Sequence, residues 1–119
     1  MDNETRECDK RKKFWFCIAH RKTLQVFAGK KEFVLSKQLL RSGTAVGALV
    51  REAEQAESKK DFIHKMAIGL KEANETQYWL ELLFKSGYLE ENQFSSINVD
   101  SIEMLKLLTS IIKTAKSNL

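Results

Sequence analysis

The chain of 119 residues has the length of a single domain, and its 43% hydrophobic content is too high for a disordered protein. Five glycines and no proline argue against a turn-rich all-β fold and allow long uninterrupted helices. The net charge of +4 is unevenly distributed. Residues 1–60 carry 14 Lys and Arg against 8 Asp and Glu, whereas residues 61–119 carry 6 against 8.

Apolar residues recur at a spacing near 3.6 residues in four segments, at about 10–28, 32–56, 59–86 and 100–117. Four amphipathic segments of this length are typical of a helical bundle. We therefore predict one all-α domain over residues 1–119, folded as an antiparallel up-down four-helix bundle.

Local signals place the ends of these helices. Gly29 and Gly87 are suited to end the first and third helices, since glycine adopts the left-handed conformation most easily. Ser58, with Asp61 three residues later to reach back to its amide, predicts the start of the third helix. Asp100 and Glu103 form a similar pair, which predicts the start of the fourth.

The segment between the third and fourth helices, residues 90–99, is polar. We expect it to be a loop that Phe94 and Ile97 anchor to the core.

Two features indicate close packing or self-association. Gly43 and Gly47 lie one turn apart in the second helix and allow another helix to approach, either within the chain or across a subunit interface. Near the end of the third helix, apolar side chains cover almost the whole circumference, which predicts burial on both sides. The candidate interface residues are Gly43, Gly47, Tyr78, Trp79 and Leu82.

The candidates for chemistry are few. Neither His20 nor His64 follows a glutamate by three residues, which argues against the Glu-x-x-His pairs of di-metal bundles. Cys17 and His20 are one turn apart and could share a metal or form a thiol–imidazole pair, but a packed cysteine explains the apolar surroundings of Cys17 better. Cys8 is expected to be a free thiol, as is Cys17.

Glu72 and Glu75 share a helix face, where paired acids are usually solvated charges rather than acid/base catalysts. We expect no enzymatic activity, no metal, no cofactor and no small-molecule substrate.

Residues 1–13 are charged and no apolar run reaches the length of about 18 residues that a membrane span needs. This pattern predicts neither a signal peptide nor a transmembrane helix, and we expect a cytoplasmic protein.

The strongest surface signal is a basic region, because residues 10–41 contain ten Lys and Arg and a single acid, Glu32. Such a region suits sequence-independent contact with phosphates. A solvated face or an acidic protein partner would also account for it, whereas a membrane-surface helix is disfavoured because its aromatic residues are needed for the core. The candidate nucleic-acid-binding residues are Lys12, Lys13, Arg21, Lys22, Lys30, Lys37 and Arg41.

Four stretches of the second and third segments carry a family resemblance. They are QLLRSGTAVGA at 38–48, ESKKDFIHK at 57–65, KEANET at 71–76 and YWLELL at 78–83. With them the chain resembles the bacterial four-helix bundle family of ribosomal-RNA intervening-sequence proteins. That family in turn resembles Avd, the basic, pentameric accessory protein of diversity-generating retroelements, which works with a reverse transcriptase and nucleic acid.

The resemblance implies a homopentamer and a partner that is RNA, DNA or a nucleic-acid enzyme, while the role of most family members is unknown. Two positions depart from the family pattern: Leu49 stands where an asparagine is usual, and Ala45 where a serine is common.

The leading hypothesis is a non-enzymatic, self-associating bundle whose basic surface binds nucleic acid or a ribonucleoprotein. The alternative is a structural or protein-interaction bundle with no nucleic-acid role.

Overall fold

A computed structural model of the protein describes residues 32–119, which form three α-helices and no strand. They are α1 (Val34–Glu54), α2 (Lys59–Lys85) and α3 (Glu91–Ser117). Both α1 and α3 pack against α2. The described part of the chain is therefore all-α, as predicted, and the predicted helix at 10–28 lies outside it.

Neighbouring helices run antiparallel. Lys65 near the start of α2 lies 3.7 Å from Glu52 near the end of α1, and contacts at both ends of α2 orient α3. Near its start, Lys59 Nζ donates to the carbonyl oxygen of Asn118, just after α3, at 2.7 Å. Near its end, the rings of Phe84 and Phe94 stack with centroids 4.3 Å apart. The connections are short, because residues 55–58 join α1 to α2 and residues 86–90 join α2 to α3.

The start of α1 is stabilised by Glu32, the single acid of the basic region. Its Oε1 accepts hydrogen bonds from the amides of Leu35 at 2.5 Å and Ser36 at 3.2 Å, and Ser36 Oγ donates back to the Glu32 carbonyl at 2.8 Å. These amides belong to the first turn, where no backbone acceptor is available to them. Glu32 is consequently only 8% exposed despite its charge.

Both predicted ends of α2 are confirmed. Ser58 Oγ accepts from the Asp61 amide at 3.0 Å, while the Asp61 carboxylate accepts from the amide of Glu57, at 3.2 Å, rather than from that of Ser58. At the other end Gly87 has φ of 86°, with hydrogen bonds from its amide to Phe84 O and from the next amide to Leu83 O. This pair of bonds is the Schellman arrangement that closes a helix.

The prediction that the last helix spans 100–117 is wrong, because α3 begins nine residues earlier at Glu91. The Glu90 amide donates to Gln93 Oε1 at 3.0 Å, which caps the helix at this earlier point. Ile97 is buried, and Phe94 stacks on Phe84. The predicted anchors are therefore the first core residues of α3, and Asp100 and Glu103 lie inside the helix.

The core is formed by apolar residues of all three helices and of the connection between α2 and α3. The buried hydrophobic residues are Leu39, Val46, Val50, Ala53, Met66, Ala73, Leu80, Leu83, Leu89, Ile97, Met104, Leu108 and Ile112. Phe62 and Phe84 are partly buried and pack against this cluster.

Hydroxyl groups also lie inside the fold. Thr76 Oγ1 donates to Ser42 Oγ at 2.9 Å across α1 and α2, and Ser42 Oγ donates to the Leu39 carbonyl at 3.2 Å. Both side chains are fully buried. A buried pair of this kind stabilises only one relative position of the two helices, since a shift would leave polar groups without partners.

Candidate nucleic-acid interface

Two of the seven candidate phosphate-binding residues, Lys37 and Arg41, lie on α1, and both are exposed. The other five belong to the part of the chain before residue 32, outside the described residues. Within residues 32–119, α1 therefore carries the candidate nucleic-acid surface.

Lys37 has a companion that the sequence pattern did not single out. Arg51, also exposed, lies 14 positions further along α1, close to four helical turns, so that both side chains leave the helix in similar directions about 21 Å apart. Neither cation has a carboxylate within 4.0 Å among the described residues. Arg51 lies beyond the basic region at 10–41, but its helical phase with Lys37 would have revealed it.

Arg41 is held differently, because its guanidinium faces two carboxylates of α2. Nη1 donates to Glu72 Oε2 at 3.3 Å and Nη2 donates to Glu75 Oε2. Nε donates to Gln38 Oε1 at 3.1 Å, one turn earlier on α1. Glu72 and Glu75, which we predicted to be solvated charges, therefore form ion pairs with Arg41, a candidate phosphate-binding residue.

The three charges shift one another's protonation. The hydrogen bond from Arg41 is the main reason why the pKa of Glu75 lies below its ordinary value. Burial raises the pKa of Glu72, and the neighbouring Glu75 adds to that effect. The hydrogen bond to Glu75 raises the pKa of Arg41 further. The arrangement therefore keeps Glu75 and Arg41 charged, while Glu72 is the acid that is easiest to protonate.

The candidate interface residues are distributed over different environments. Tyr78 is 57% exposed, and its ring meets that of Trp79 edge-on with centroids 5.0 Å apart. Trp79 and Leu82 are half-buried, as is Gly47, whereas Gly43 is buried within the chain. Packing inside the chain accounts for Gly43, and Tyr78 remains the most exposed member of the set.

Leu49, which replaces the asparagine usual in the family, lies at the crossing of α1 and α2. A Cβ atom added to Gly69 of α2 would be 3.7 Å from Leu49 Cβ, an ordinary van der Waals distance. Gly69 is buried there and Leu49 is half-buried. In this chain the position contributes an apolar contact between two helices.

The described residues contain no group of three or more His, Cys, Asp or Glu side chains that could hold a metal ion. His64 is exposed on α2, while Cys8, Cys17 and His20 lie outside residues 32–119. None of the three described helices is long and apolar enough to cross a bilayer.

These features define an all-α protein of antiparallel helices with an apolar core and charged outer faces. The chain belongs to the 23S rRNA-intervening sequence protein family, whose model matches residues 10–110. It is also similar to a protein of unknown function from the S23 ribosomal protein family of Bacteroides thetaiotaomicron VPI-5482, whose crystal structure was determined at 1.70 Å. The two are 55% identical with a TM-score of 0.83, over 89% of this chain and 94% of the other. No curated protein matches the chain significantly.

Proposed function

We propose that this protein is a non-enzymatic, self-associating four-helix bundle whose basic surface binds nucleic acid or a ribonucleoprotein in the cytoplasm. The bundle is one domain over residues 1–119, and the assembly is a homopentamer, as the family resemblance implies. The family name associates its members with 23S ribosomal RNA, which makes RNA the first ligand to test.

The observation that carries the nucleic-acid role is a pair of exposed cations on α1, Lys37 and Arg51, which have no ion-pair partner within the described part of the chain. They are about 21 Å apart, which corresponds to about six base pairs along a duplex at 3.4 Å each. Free cations on a rigid helix can contact phosphates without first breaking an ion pair. The basic residues at 10–31 precede α1 in the sequence and add to the positive charge of this half of the chain.

The core supports a fourth helix. Leu39 and Val46 of α1 and Leu108 of α3 are almost fully buried, although among the described helices α1 and α3 each pack mainly against α2 alone. The segment 10–28 has apolar residues at helical spacing and the right length to cover them. We propose that it is the first helix of the bundle.

Exposed apolar side chains support self-association. Tyr78 of α2 and Val99 of α3 are more than half exposed, and Ile102 is 37% exposed. Aromatic residues are enriched in interfaces because they bury large areas at low entropic cost. A ring of subunits would repeat the basic surface and raise affinity through avidity.

Fluorescence anisotropy with labelled single-stranded RNA, titrated at salt concentrations from about 50 to about 200 mM, tests the nucleic-acid role. The wild-type protein should bind at the lower concentration and lose affinity as salt rises. In the Lys37→Gln, Arg51→Gln variant, the slope of log K against log salt should flatten by about 1.4, which is about 0.7 for each lost phosphate contact.

The matched control is Lys106→Gln, Lys113→Gln, which removes the same charge from exposed positions of α3. It should keep the wild-type slope if α1 is the contact surface. Equal slopes for both variants would move the contact away from α1, and no binding of the wild type to RNA or DNA at low salt would refute the proposal.

The exposed aromatic and aliphatic residues also favour a second candidate, a structural or protein-interaction bundle with no nucleic-acid role. Under this alternative, the positive charge serves solubility or an acidic protein partner. A partner that is retained by the bundle after nuclease treatment, together with a failure to bind RNA, would favour it. Light scattering that gave a monomeric mass would contradict self-association.

A further inference from the structure

Arg41 lies on the proposed phosphate-binding helix, one turn after Lys37, yet its charge is already compensated. All three nitrogens of its guanidinium donate to side chains: Nε to Gln38, Nη1 to Glu72 and Nη2 to Glu75. One positive charge faces two carboxylates, so the cluster has a formal charge of −1. It would repel the phosphates that Lys37 attracts.

The same geometry makes Arg41 suitable for phosphate if the carboxylates release it. A guanidinium presents its N–H donors as a planar fork, and carboxylate and phosphate compete for that fork. The Arg41 side chain is 48% exposed, so a ligand can reach it from solvent. Exposed ion pairs contribute little to stability, so exchanging them for contacts with a phosphate costs the fold little.

We propose that Glu72 and Glu75 are an autoinhibitory mask that keeps Arg41 out of the phosphate-binding surface. This inference rests on the proposed nucleic-acid function. It adds that the ion pairs between α1 and α2 lower the affinity of the protein for nucleic acid. In the resting protein Lys37 and Arg51 contact phosphates, and Arg41 does not. Neutralising the two carboxylates adds Arg41 to the contact surface.

The test compares two variants of the full chain with the same change in net charge. Glu72→Gln, Glu75→Gln releases Arg41, whereas Glu81→Gln, Glu103→Gln removes two exposed carboxylates elsewhere on α2 and α3. Both should bind labelled single-stranded RNA more tightly than the wild type through general electrostatics. The unmasked variant should bind on the order of tenfold more tightly than the control, as expected for one charge-assisted contact, with a slope steeper by about 0.7.

Arg41→Gln supplies the second comparison. In the wild-type background, it should leave the slope of log K against log salt equal to that of Lys106→Gln, because the masked side chain makes no phosphate contact and only general electrostatic attraction is lost. In the Glu72→Gln, Glu75→Gln background, it should remove the tenfold gain. Thermal unfolding checks that each protein is folded, and the single Glu75→Gln variant replaces the double variant if that one does not fold.

The outcomes separate the mask from the function. If the wild type binds RNA but the unmasked and control variants bind equally, the mask is wrong and the nucleic-acid role stands. A slope flatter by about 0.7 for Arg41→Gln than for Lys106→Gln would also overturn the mask, since Arg41 would then already contact a phosphate in the wild type. Failure of both the wild type and the unmasked variant to bind at low salt would refute the mask and the proposed function together.

Discussion

Replacing Gly69, inside α2, and Gly87, just after its C-terminal end, by alanine should change the stability of the fold in opposite directions. Gly87 ends α2 with φ of 86°, and no atom lies within 4 Å of an added Cβ. Gly69 lies in the interior of α2, and an added Cβ would be 3.7 Å from Leu49 Cβ. Neither methyl group is sterically blocked, so the backbone conformation decides the effect.

For Gly87→Ala, the left-handed conformation costs about 1–2 kcal/mol, and the loss of unfolded-state entropy offsets about 0.4–1 kcal/mol of that. The net effect is a destabilisation of about 1 kcal/mol. For Gly69→Ala, the gain in helix propensity is about 1 kcal/mol, with an ordinary contact to Leu49 in addition. The two variants should therefore differ by about 2 kcal/mol in the free energy of unfolding.

Urea unfolding followed by circular dichroism measures this difference, with all proteins at one concentration because self-association would affect the midpoint. Thermal unfolding gives a second measurement, in which 1 kcal/mol corresponds to about 4 °C in Tm for a chain of this size. Tm should rise by about 4 °C for Gly69→Ala and fall by about 4 °C for Gly87→Ala. A shift of the same sign in both variants would refute the reasoning. Destabilisation by Gly69→Ala in particular would mean that the α1–α2 contact is too tight for a methyl group.

Two further predictions concern the start of α3 and the charge cluster. Phe94→Ala removes the stacking on Phe84, so hydrogen exchange should become faster at amides 91–99 but not at amides 104–112. An equal increase of the exchange rate in both regions would contradict the idea that this stacking anchors the first part of α3 locally. The folded-state pKa of Glu75 is lowered, so its ionised form contributes stability that is lost as the pH falls below its ordinary value of 4.5. Glu75→Gln should therefore lose less stability than the wild type on acidification, and identical acid profiles would contradict the ion pair.

Helix signals that depend on neighbouring residues were predicted well. Ser58 and Gly87 mark the ends of α2 as expected, because capping and the left-handed conformation depend on a few adjacent residues. The start of α3 was misplaced because Asp100 and Glu103 resemble a cap, residues 90–99 are largely polar, and the local cap formed by Glu90 and Gln93 was missed. The stacking of Phe94 on Phe84, which also anchors residues 91–99 to α2, is a contact between helices that no local pattern contains.

The candidate nucleic-acid surface was predicted only in part. Lys37 is exposed and has no carboxylate partner among residues 32–119, and Arg51 follows from it by helical phase once α1 is defined. Arg41 has the same charge and comparable exposure, but it is paired with residues 31 and 34 positions away. Counting charges along the chain treats Lys37 and Arg41 alike, because the count has no information about which helix faces which.

The sequence by itself determined that the described part of this protein is all-α. It also carried the family motifs and the excess of positive charge in the first half, since these properties depend on composition and local spacing. Only the tertiary structure decided that α3 begins at Glu91, that Leu49 packs over Gly69, and that Glu72 and Glu75 neutralise Arg41. Each of these depends on the distance between residues far apart in the chain, which the packing of the helices alone sets.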